Sequence, residues 1–215
     1  MKIAIDGTAG SGKGTLSYHL SKALKLPRLD TGLLYRKLAF SYIKSEKIIP
    51  TQNTIDNSIL KNILNDFDIN DLDSETLRHD LFGNLASMIG KLEFVRNKLK
   101  VLQIKFVDNM TMTKGGCILD GRDIGTEIIP NADFKFYVDA PLEIRARRRY
   151  AQLYSKDKSI KFKTIMLDLE KRDLSDKSRK NSPLTQSKQS ILIDTESLNP
   201  SQVLKKALYY IKKNK

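Results

Sequence analysis

Residues 7–15, GTAGSGKGT, combine four glycines, one lysine and three hydroxyl side chains in nine positions. Gly7, Gly12 and Lys13 fit the pattern G-x-x-x-x-G-K between a strand-like apolar run and an amphipathic helical stretch. In that context glycines let backbone N–H groups turn towards phosphate oxygens, the helix adds its positive N-terminal end, and the lysine neutralises phosphate charge. The sequence therefore predicts a nucleotide-phosphate site formed by Gly7, Thr8, Ala9, Gly10, Ser11, Gly12, Lys13, Gly14 and Thr15.

Transfer of a phosphoryl group from such a site requires positive charge on both phosphates and in-line alignment. A phosphate acceptor needs no general base, because its second pKa of about 6 makes it a dianion at pH 7. Arginines are the expected ligands, since the guanidinium fork stays charged and binds two oxygens. Lys13 is followed by Gly14, so the next hydroxyl belongs to Thr15, which is a candidate direct ligand of Mg²⁺.

The elements that must position these residues follow from periodicity. Short apolar runs alternate with amphipathic helical stretches, which predicts an α/β fold with a central parallel sheet covered by helices. Strands are predicted at 2–6, 26–30, 116–120, 134–138 and 191–194, the second being the weakest. A single long helix with one buried face is predicted from the spacing of Leu92, Val95, Leu99, Leu102 and Phe106.

Two segments interrupt this alternation. Residues 47–90 are polar and contain helical patterns at Ile55, Ile59 and Ile63 and again at Leu77, Leu81 and Leu85, which predicts an inserted helical subdomain. Residues 155–188 are dense in Lys and Ser, which predicts a mobile flap.

Composition narrows the partners and the location. The 215 residues suffice for one domain with modest insertions, and the net charge of +13 favours anionic partners. Residues 145–180 hold thirteen Lys and Arg against five Asp and Glu, so much of the excess is local. No apolar run approaches the roughly 20 residues of a membrane span, and no signal peptide is visible. We expect a cytoplasmic protein in which the single Cys117 is a buried thiol.

Four stretches together resemble a known family. GTAGSGKGT (7–15), LDTGLLYR (29–36), DGRDIGT (120–126) and RDLSDKSR (172–179) are similar, in order and spacing, to the signature stretches of bacterial cytidylate kinases. The resemblance implies a P-loop kinase fold with a central parallel sheet flanked by helices. It also implies one kinase domain over residues 1–215, with a helical NMP-binding insertion at about 47–90 and a short basic lid at about 155–188.

The activity that the resemblance implies is transfer of the γ-phosphoryl group of ATP to CMP or dCMP, with Mg²⁺, in pyrimidine nucleotide metabolism. Arg36, Arg122 and Arg179 match the arginines that hold the acceptor monophosphate in the family. Arg172 and Asp176 match residues that contact the ribose hydroxyls.

On the donor side, we expect Lys13 to be catalytic together with two of these arginines, Arg122 and Arg179, because all three would carry charge at the phosphates. Arg145, Arg148 and Arg149 begin the basic flap, and we choose Arg148 as the residue that covers ATP. A solvated arginine run is the alternative interpretation.

The base pocket is also implied by resemblance, because Ser87, Arg96 and Asp123 match the positions that hold cytosine. Asp123 would accept from the amino group, and Arg96 would donate to the ring or carbonyl acceptors. Nine residues at about 100° each place Ser87 and Arg96 on opposite faces of a continuous helix, so the helix must break near Gly90 if both grip the base. The segment 65–85 is predicted to be shorter than the corresponding inserted segment of the bacterial family and to lack its strand hairpin. This difference affects the expected preference for CMP over UMP.

We therefore predict a nucleoside monophosphate kinase that is a monomer and binds ATP, CMP and dCMP but neither nucleic acid nor a membrane. Two alternatives remain open: a kinase for another monophosphate such as UMP or AMP, and a basic P-loop protein that binds nucleic acid. Aromatic side chains interleaved with the basic ones would favour the latter, but residues 145–180 contain only Tyr150, Tyr154 and Phe162, a thin stacking platform.

Overall fold

Strands and helices alternate along most of the chain in the computed structural model, which describes residues 1–51, 53–70, 72, 74–155 and 157–213. The strands are β1 (Lys2–Gly7), β2 (Arg28–Asp30), β3 (Cys117–Gly121), β4 (Phe134–Asp139) and β5 (Ile191–Asp194). The α-helices are α1 (Lys13–Leu24), α2 (Thr31–Glu46), α3 (Asn57–Asn65), α4 (Ser74–Leu77), α5 (Asp80–Ile89), α6 (Glu93–Lys114), α7 (Leu142–Tyr154), α8 (Phe162–Ser178) and α9 (Pro200–Lys213). Residues 52, 71 and 73 of the predicted insertion and residue 156 of the predicted lid lie outside the described residues.

The strands form one sheet in the order β2-β3-β1-β4-β5. Strand β1 is central and pairs in parallel with β3, where Ile5 faces Asp120, and with β4, where Gly7 faces Val138. Strand β5 continues the sheet in parallel beyond β4. The predicted α/β fold with a central parallel sheet is confirmed, and every predicted strand is present. The loop after β1 leaves the carboxyl edge of the sheet, which is where open α/β sheets bind ligands.

The main core is apolar because β1 and β4, in the middle of the sheet, are covered by helices. Its buried residues come from β1, α1, β3, β4, β5 and α9, and they include Ile3, Ile5, Leu16, Leu20, Ile118, Phe136, Val138, Ile193, Val203, Ala207 and Ile211. Cys117 is fully buried, as predicted, and burial raises the pKa of its thiol to about 11. Among the described residues, no helix combines the length and the apolar character that a membrane crossing needs.

The chain divides into two compact units. The first comprises Met1–Leu29 and Val107–Lys215, and it contains β1, α1, β3, β4, β5 and helices α7 to α9. The second comprises Asp30–Phe106 and contains α2 to α5 with most of α6.

Inside the second unit, short helices pack on α2. Its Tyr42 is buried, and the Tyr42 hydroxyl accepts a hydrogen bond of 2.9 Å from the backbone N–H of Asp56. Asp56 also begins α3, because its carboxylate accepts from the N–H of Ser58 at 2.7 Å. The helical pattern predicted for this region is confirmed, but α3 buries Leu60 and Leu64 rather than the isoleucines of the pattern.

The helical stretch after residue 80 is interrupted. Helix α5 ends at Ile89 and α6 begins at Glu93, so the break predicted near Gly90 is confirmed. Gly90 approaches the preceding turn closely, since a Cβ there would lie 3.0 Å from the carbonyl oxygen of Ala86. The long helix α6 is also confirmed, although its buried face continues from Val95 and Leu99 through Gln103 and Val107, at a constant spacing of four.

Candidate active site

The loop between β1 and α1 has the backbone that a phosphate cradle needs. At Gly7 a Cβ would lie 2.0 Å from the carbonyl oxygen of Val138 in the neighbouring strand, so no larger residue fits. Gly10 and Gly12 have φ values of 76° and 93°, in the left-handed region that favours glycine. Helix α1 starts at Lys13 directly after this turn, so its first N–H groups, which lack intrahelical partners, face the loop.

Side chains of the loop hold it in shape. The Lys13 ammonium donates to the carbonyl oxygen of Thr8 at 3.1 Å, so the lysine folds back over the loop. The Thr8 hydroxyl donates to the Asp139 carboxylate at 2.5 Å, and the Ser11 hydroxyl donates to the Thr8 carbonyl at 3.0 Å. Thr15 is exposed in the first turn of α1. The loop is therefore a closed turn with a cation above it and an accessible hydroxyl beside it.

Two arginines from separate motifs meet at Asp176 in the first unit. Nε of Arg122 lies 2.6 Å from one carboxylate oxygen of Asp176, and Nη1 of Arg179 lies 3.7 Å from the other. Arg179 also reaches Asp123, with Nη2 at 3.7 Å from Oδ1. Four residues predicted for the acceptor site are thus brought together by the fold.

The electrostatics of this cluster extend to the phosphate loop. Burial alone would raise the pKa of Asp176, but the charge and hydrogen bond of Arg122, followed by the charges of Arg179 and Lys13, outweigh it and lower that pKa. The Lys13 ammonium therefore acts on the same carboxylate as the two arginines. An anion placed here would meet positive charge from the loop and from the two arginine motifs.

A buried acid supports the cluster from β1. Both oxygens of Asp6 accept backbone hydrogen bonds of 2.8 Å, from Ile124 and from Gly125. Burial raises the pKa of Asp6 to about 6, against the lowering effect of these two N–H groups. The bonds fix the π-helical turn Ile124–Ile128, which follows directly after Arg122 and Asp123.

Behind the loop lies a second polar cluster, formed by the ion pair of Arg28 with Asp120 and by the hydroxyl of Ser17. Arg28 forms an ion pair of 3.0 Å with Asp120, and the Ser17 hydroxyl donates to the same carboxylate at 2.6 Å. A Cβ on Gly14 would lie 3.6 Å from both charged groups, so this cluster borders the first turn of α1. Arg28 was not predicted as a site residue, because it lies in the weakest predicted strand.

Arg148, the residue predicted to cover ATP, is half-buried on α7. Its guanidinium donates to the hydroxyl of Thr195 at 2.9 Å and to the carbonyl oxygens of Thr195 and Glu196. Thr195 in turn donates to the Ser11 carbonyl oxygen of the phosphate loop at 3.0 Å. Arg148 therefore connects to the loop through the segment that follows β5. Arg172 is half-buried on α8.

The remaining predicted site residues lie in the second unit. Arg36, half-buried on α2, donates to the carbonyl oxygens of Leu77 and His79, both at 3.0 Å. Arg96 is buried at the start of α6, where it donates to the Gly90 carbonyl oxygen at 3.3 Å. Ser87 lies half-buried on α5, so the break at Gly90 separates the two residues predicted to hold the base.

Comparison with known proteins assigns this chain to a family. The cytidylate kinase family model matches residues 3–213. The cytidylate kinase of Xanthobacter autotrophicus is 39% identical over 209 residues, which cover 97% of this chain and 95% of that protein. The cytidylate kinase of Caldanaerobacter subterraneus is 35% identical over 223 residues, which cover 100% and 96%. The chain belongs to the cytidylate kinase family.

Solved structures agree on the fold alone. A protein of uncharacterized function from Eubacterium ventriosum superposes with a TM-score of 0.55 at 13% identity, over 99% of this chain and 98% of that chain. TT1252 from Thermus thermophilus gives a TM-score of 0.50 at 18% identity, over 99% and 96%. The predicted family and the enzyme class, a nucleoside monophosphate kinase, are confirmed by the family match rather than by these folds.

As a cytidylate kinase the chain uses a nucleotide, and the loop fits nucleotide phosphates. A Cβ at Gly12 would meet nothing within 4 Å, so the turn before α1 leaves open space beside Lys13. The exposed Thr15 hydroxyl suits Mg²⁺, a hard cation that takes oxygen ligands and commonly keeps water and substrate phosphates in its shell.

Sequence reasoning missed two buried residues beside the loop, Arg145 as a structural residue and Asp173. A signal for Asp173 was available, because Ile165, Leu169 and Asp173 recur every four residues and form the buried face of α8. No equivalent signal marked Arg145, which lies in a run of arginines that periodicity does not separate.

Proposed function

We propose that this cytidylate kinase transfers the γ-phosphoryl group of ATP to CMP or dCMP, giving CDP or dCDP and ADP. The observation that carries the proposal is the contact of Arg122 and Arg179 with the single carboxylate of Asp176, whose pKa the charge of Lys13 also lowers. The lysine belongs to the donor-phosphate loop, whereas the two arginines belong to motifs that match the acceptor site. The cation of the donor loop and the cations of the acceptor motifs therefore act on the same carboxylate.

The cluster explains how charge is handled during transfer. Without nucleotide, Asp176 neutralises the cations, which keeps them ordered while the site is open to water. A bound phosphate supplies the negative charge instead, and Arg122 and Arg179 then hold the acceptor dianion in line with the donor. The transition state spreads charge over the transferred group, so fixed cations accelerate the reaction without a general base.

The nucleotide around the acceptor phosphate is recognised, in this proposal, by groups from several motifs. Arg36 adds to the phosphate contacts, and Arg172 and Asp176 bind the ribose hydroxyls. Ser87, Arg96 and Asp123 bind cytosine. The burial of Arg96 and Asp123 supports a role as fixed hydrogen-bonding groups, because a buried polar group discriminates strongly between bases that satisfy it and bases that do not.

On the donor side, the loop N–H groups and Lys13 hold the ATP phosphates, and Arg148 positions the segment after β5 that contacts the loop. Thr15 is the protein's ligand to Mg²⁺, which supplies charge neutralisation on the phosphates when bound. We also propose one kinase domain, with an acceptor-binding insertion at about 47–90 and a lid at about 155–188. The protein is a cytoplasmic monomer that requires neither nucleic acid nor a membrane.

The test is a coupled assay of ADP release with CMP, dCMP, UMP, AMP and GMP as acceptors. CMP and dCMP should give the highest kcat/KM, and ADP release should equal the diphosphate formed. A higher kcat/KM with UMP or AMP would reassign the substrate within the same enzyme class. ATP turnover that is stimulated by a polynucleotide, and by none of the monophosphates, would overturn the proposal.

A further inference from the structure

Two charged side chains that the proposed reaction does not use, Arg145 and Asp173, are buried beside the phosphate loop. Arg145 on α7 is 5% exposed and Asp173 on α8 is 7% exposed. Nη1 of Arg145 lies 2.6 Å from Oδ2 of Asp173. Charged groups are rarely buried to this extent, and a buried pair does not by itself imply stability, so its position in the fold needs another reason.

The pair holds both backbone polar groups of Ala9, in the middle of the loop. The Ala9 N–H donates to Oδ1 of Asp173 at 3.1 Å, and the Ala9 carbonyl oxygen accepts from Nη1 of Arg145 at 2.9 Å. Nε of Arg145 donates to the carbonyl oxygen of Ala140 at 2.7 Å, which anchors the guanidinium to the chain directly after β4. The peptide planes on both sides of Ala9 are therefore fixed from outside the loop.

Fixing these planes matters because the next residue is a glycine, which can adopt many backbone conformations. Gly10 follows Ala9 in the left-handed region, and a Cβ there would lie 3.4 Å from Cβ of Arg145. A glycine-rich loop without external contacts has many conformations, and nucleotide binding would have to order it at the expense of affinity. A loop whose central peptide is already fixed avoids that loss.

We propose that Arg145 and Asp173 are positioning residues of the donor site, which preset the phosphate loop for the phosphates of ATP. This inference rests on the proposed function in that ATP is the donor. It assigns to Arg145 a role behind the loop rather than over the nucleotide. Arg145 and Asp173 act only through the backbone of Ala9, so their effect falls on the donor nucleotide and not on the acceptor.

The experiment uses Asp173→Asn and Arg145→Lys, with Arg147→Ala as a matched control on α7. Asparagine keeps an oxygen for the Ala9 N–H but loses the ion pair, and lysine keeps the charge but cannot reach three acceptors at once. The control removes an ion pair with Glu143 whose side chains are 68% and 59% exposed. ADP binding is measured by titration calorimetry without acceptor, below the unfolding temperature of each variant, together with KM for ATP and for CMP.

Both variants should weaken ADP binding by about 10-fold or more and raise KM for ATP in proportion. KM for CMP at saturating ATP should change less than about 3-fold, and Arg147→Ala should match the wild type. If either folded variant binds ADP with wild-type affinity, even with a lower unfolding temperature, the pair is structural only and the inference is overturned. The ADP titration involves no acceptor, so it separates this inference from the substrate assignment, which the acceptor panel tests.

Discussion

Arg122→Ala should reduce both stability and activity, and the size of the stability loss follows from the contacts. The Arg122–Asp176 pair has a separation of 2.6 Å, and its side chains are 24% and 17% exposed. Exposed pairs contribute about 0–1 kcal/mol, whereas breaking a fully buried pair removes about 3–5 kcal/mol. Asp176 keeps Arg179 at 3.7 Å in the variant. We expect the free energy of unfolding to fall by about 1–3 kcal/mol, or about 2–12 °C in Tm for a chain of this length.

The loss should depend on pH in one direction. In the wild type the pKa of Asp176 is lowered, so its contribution to stability is present above the unfolded-state pKa of about 4 and is lost as pH falls through the folded-state pKa. In the variant the largest opposing charge is gone, and burial raises that pKa again. The difference in unfolding free energy between wild type and variant should therefore be full at pH 7 and shrink as pH falls from the raised pKa of Asp176 in the variant to its lowered pKa in the wild type.

Urea unfolding followed by circular dichroism at several pH values measures both quantities. Arg147→Ala, which breaks an exposed pair, should change the unfolding free energy by less than about 0.5 kcal/mol at any pH. In the kinetic assay, Arg122→Ala should lower kcat/KM for CMP, dCMP and UMP in parallel by at least about 100-fold. If Arg122→Ala lowered the free energy of unfolding by no more than about 0.5 kcal/mol beyond the effect of Arg147→Ala, the Arg122–Asp176 pair would contribute no more than an exposed ion pair. That result would refute its assignment as a central contact of the site.

The other predictions concern single residues. Lys13→Met should keep the fold but lower kcat by at least about 100-fold, since it removes charge at the transferred phosphate; near-normal turnover in a folded variant would contradict the loop assignment. Asp123→Asn should shift the kcat/KM ratio of CMP to UMP towards UMP by roughly 5- to 150-fold with ATP affinity unchanged, and an unaltered ratio would show that Asp123 does not read the base. Because burial raises the pKa of Asp6 to about 6, the folded state binds the extra proton between about pH 4 and 6, and its stability falls as pH rises through that range. Asp6→Asn should lack this pH-dependent part of the free energy of unfolding, which is about 2–3 kcal/mol. Comparison of the urea midpoints of both proteins at pH 4 and 7 measures it, and an equal pH dependence in both would contradict the role of Asp6.

Local sequence determined much of this protein. The glycine loop was readable because its chemistry depends on backbone geometry that only nearby residues set, and Gly10 and Gly12 have the left-handed conformation that such a turn uses. The strands were readable because a parallel sheet covered on both faces requires continuous apolar runs. The break at Gly90 was predicted from the resemblance together with helix geometry, because Ser87 and Arg96 would lie on opposite faces of a continuous helix and could not both reach the base. In each case the signal lies within a few consecutive residues, even where the structure that requires it is long-range.

Tertiary structure alone decided which charges meet. Arg122 and Asp176 are 54 residues apart in sequence, Arg28 and Asp120 are 92 apart, and Ala9 and Asp173 are 164 apart. The chain has 38 Lys and Arg and 25 Asp and Glu, so composition permits many pairings, and periodicity does not choose among them. Arg145 and Arg147 show this, because they lie two residues apart in one arginine run, yet one is buried against the phosphate loop and the other is in solvent. The sheet order and the packing of α7 and α8 decide which of the two arginines is buried. A buried charge needs a partner, because burial removes the water that would otherwise solvate it.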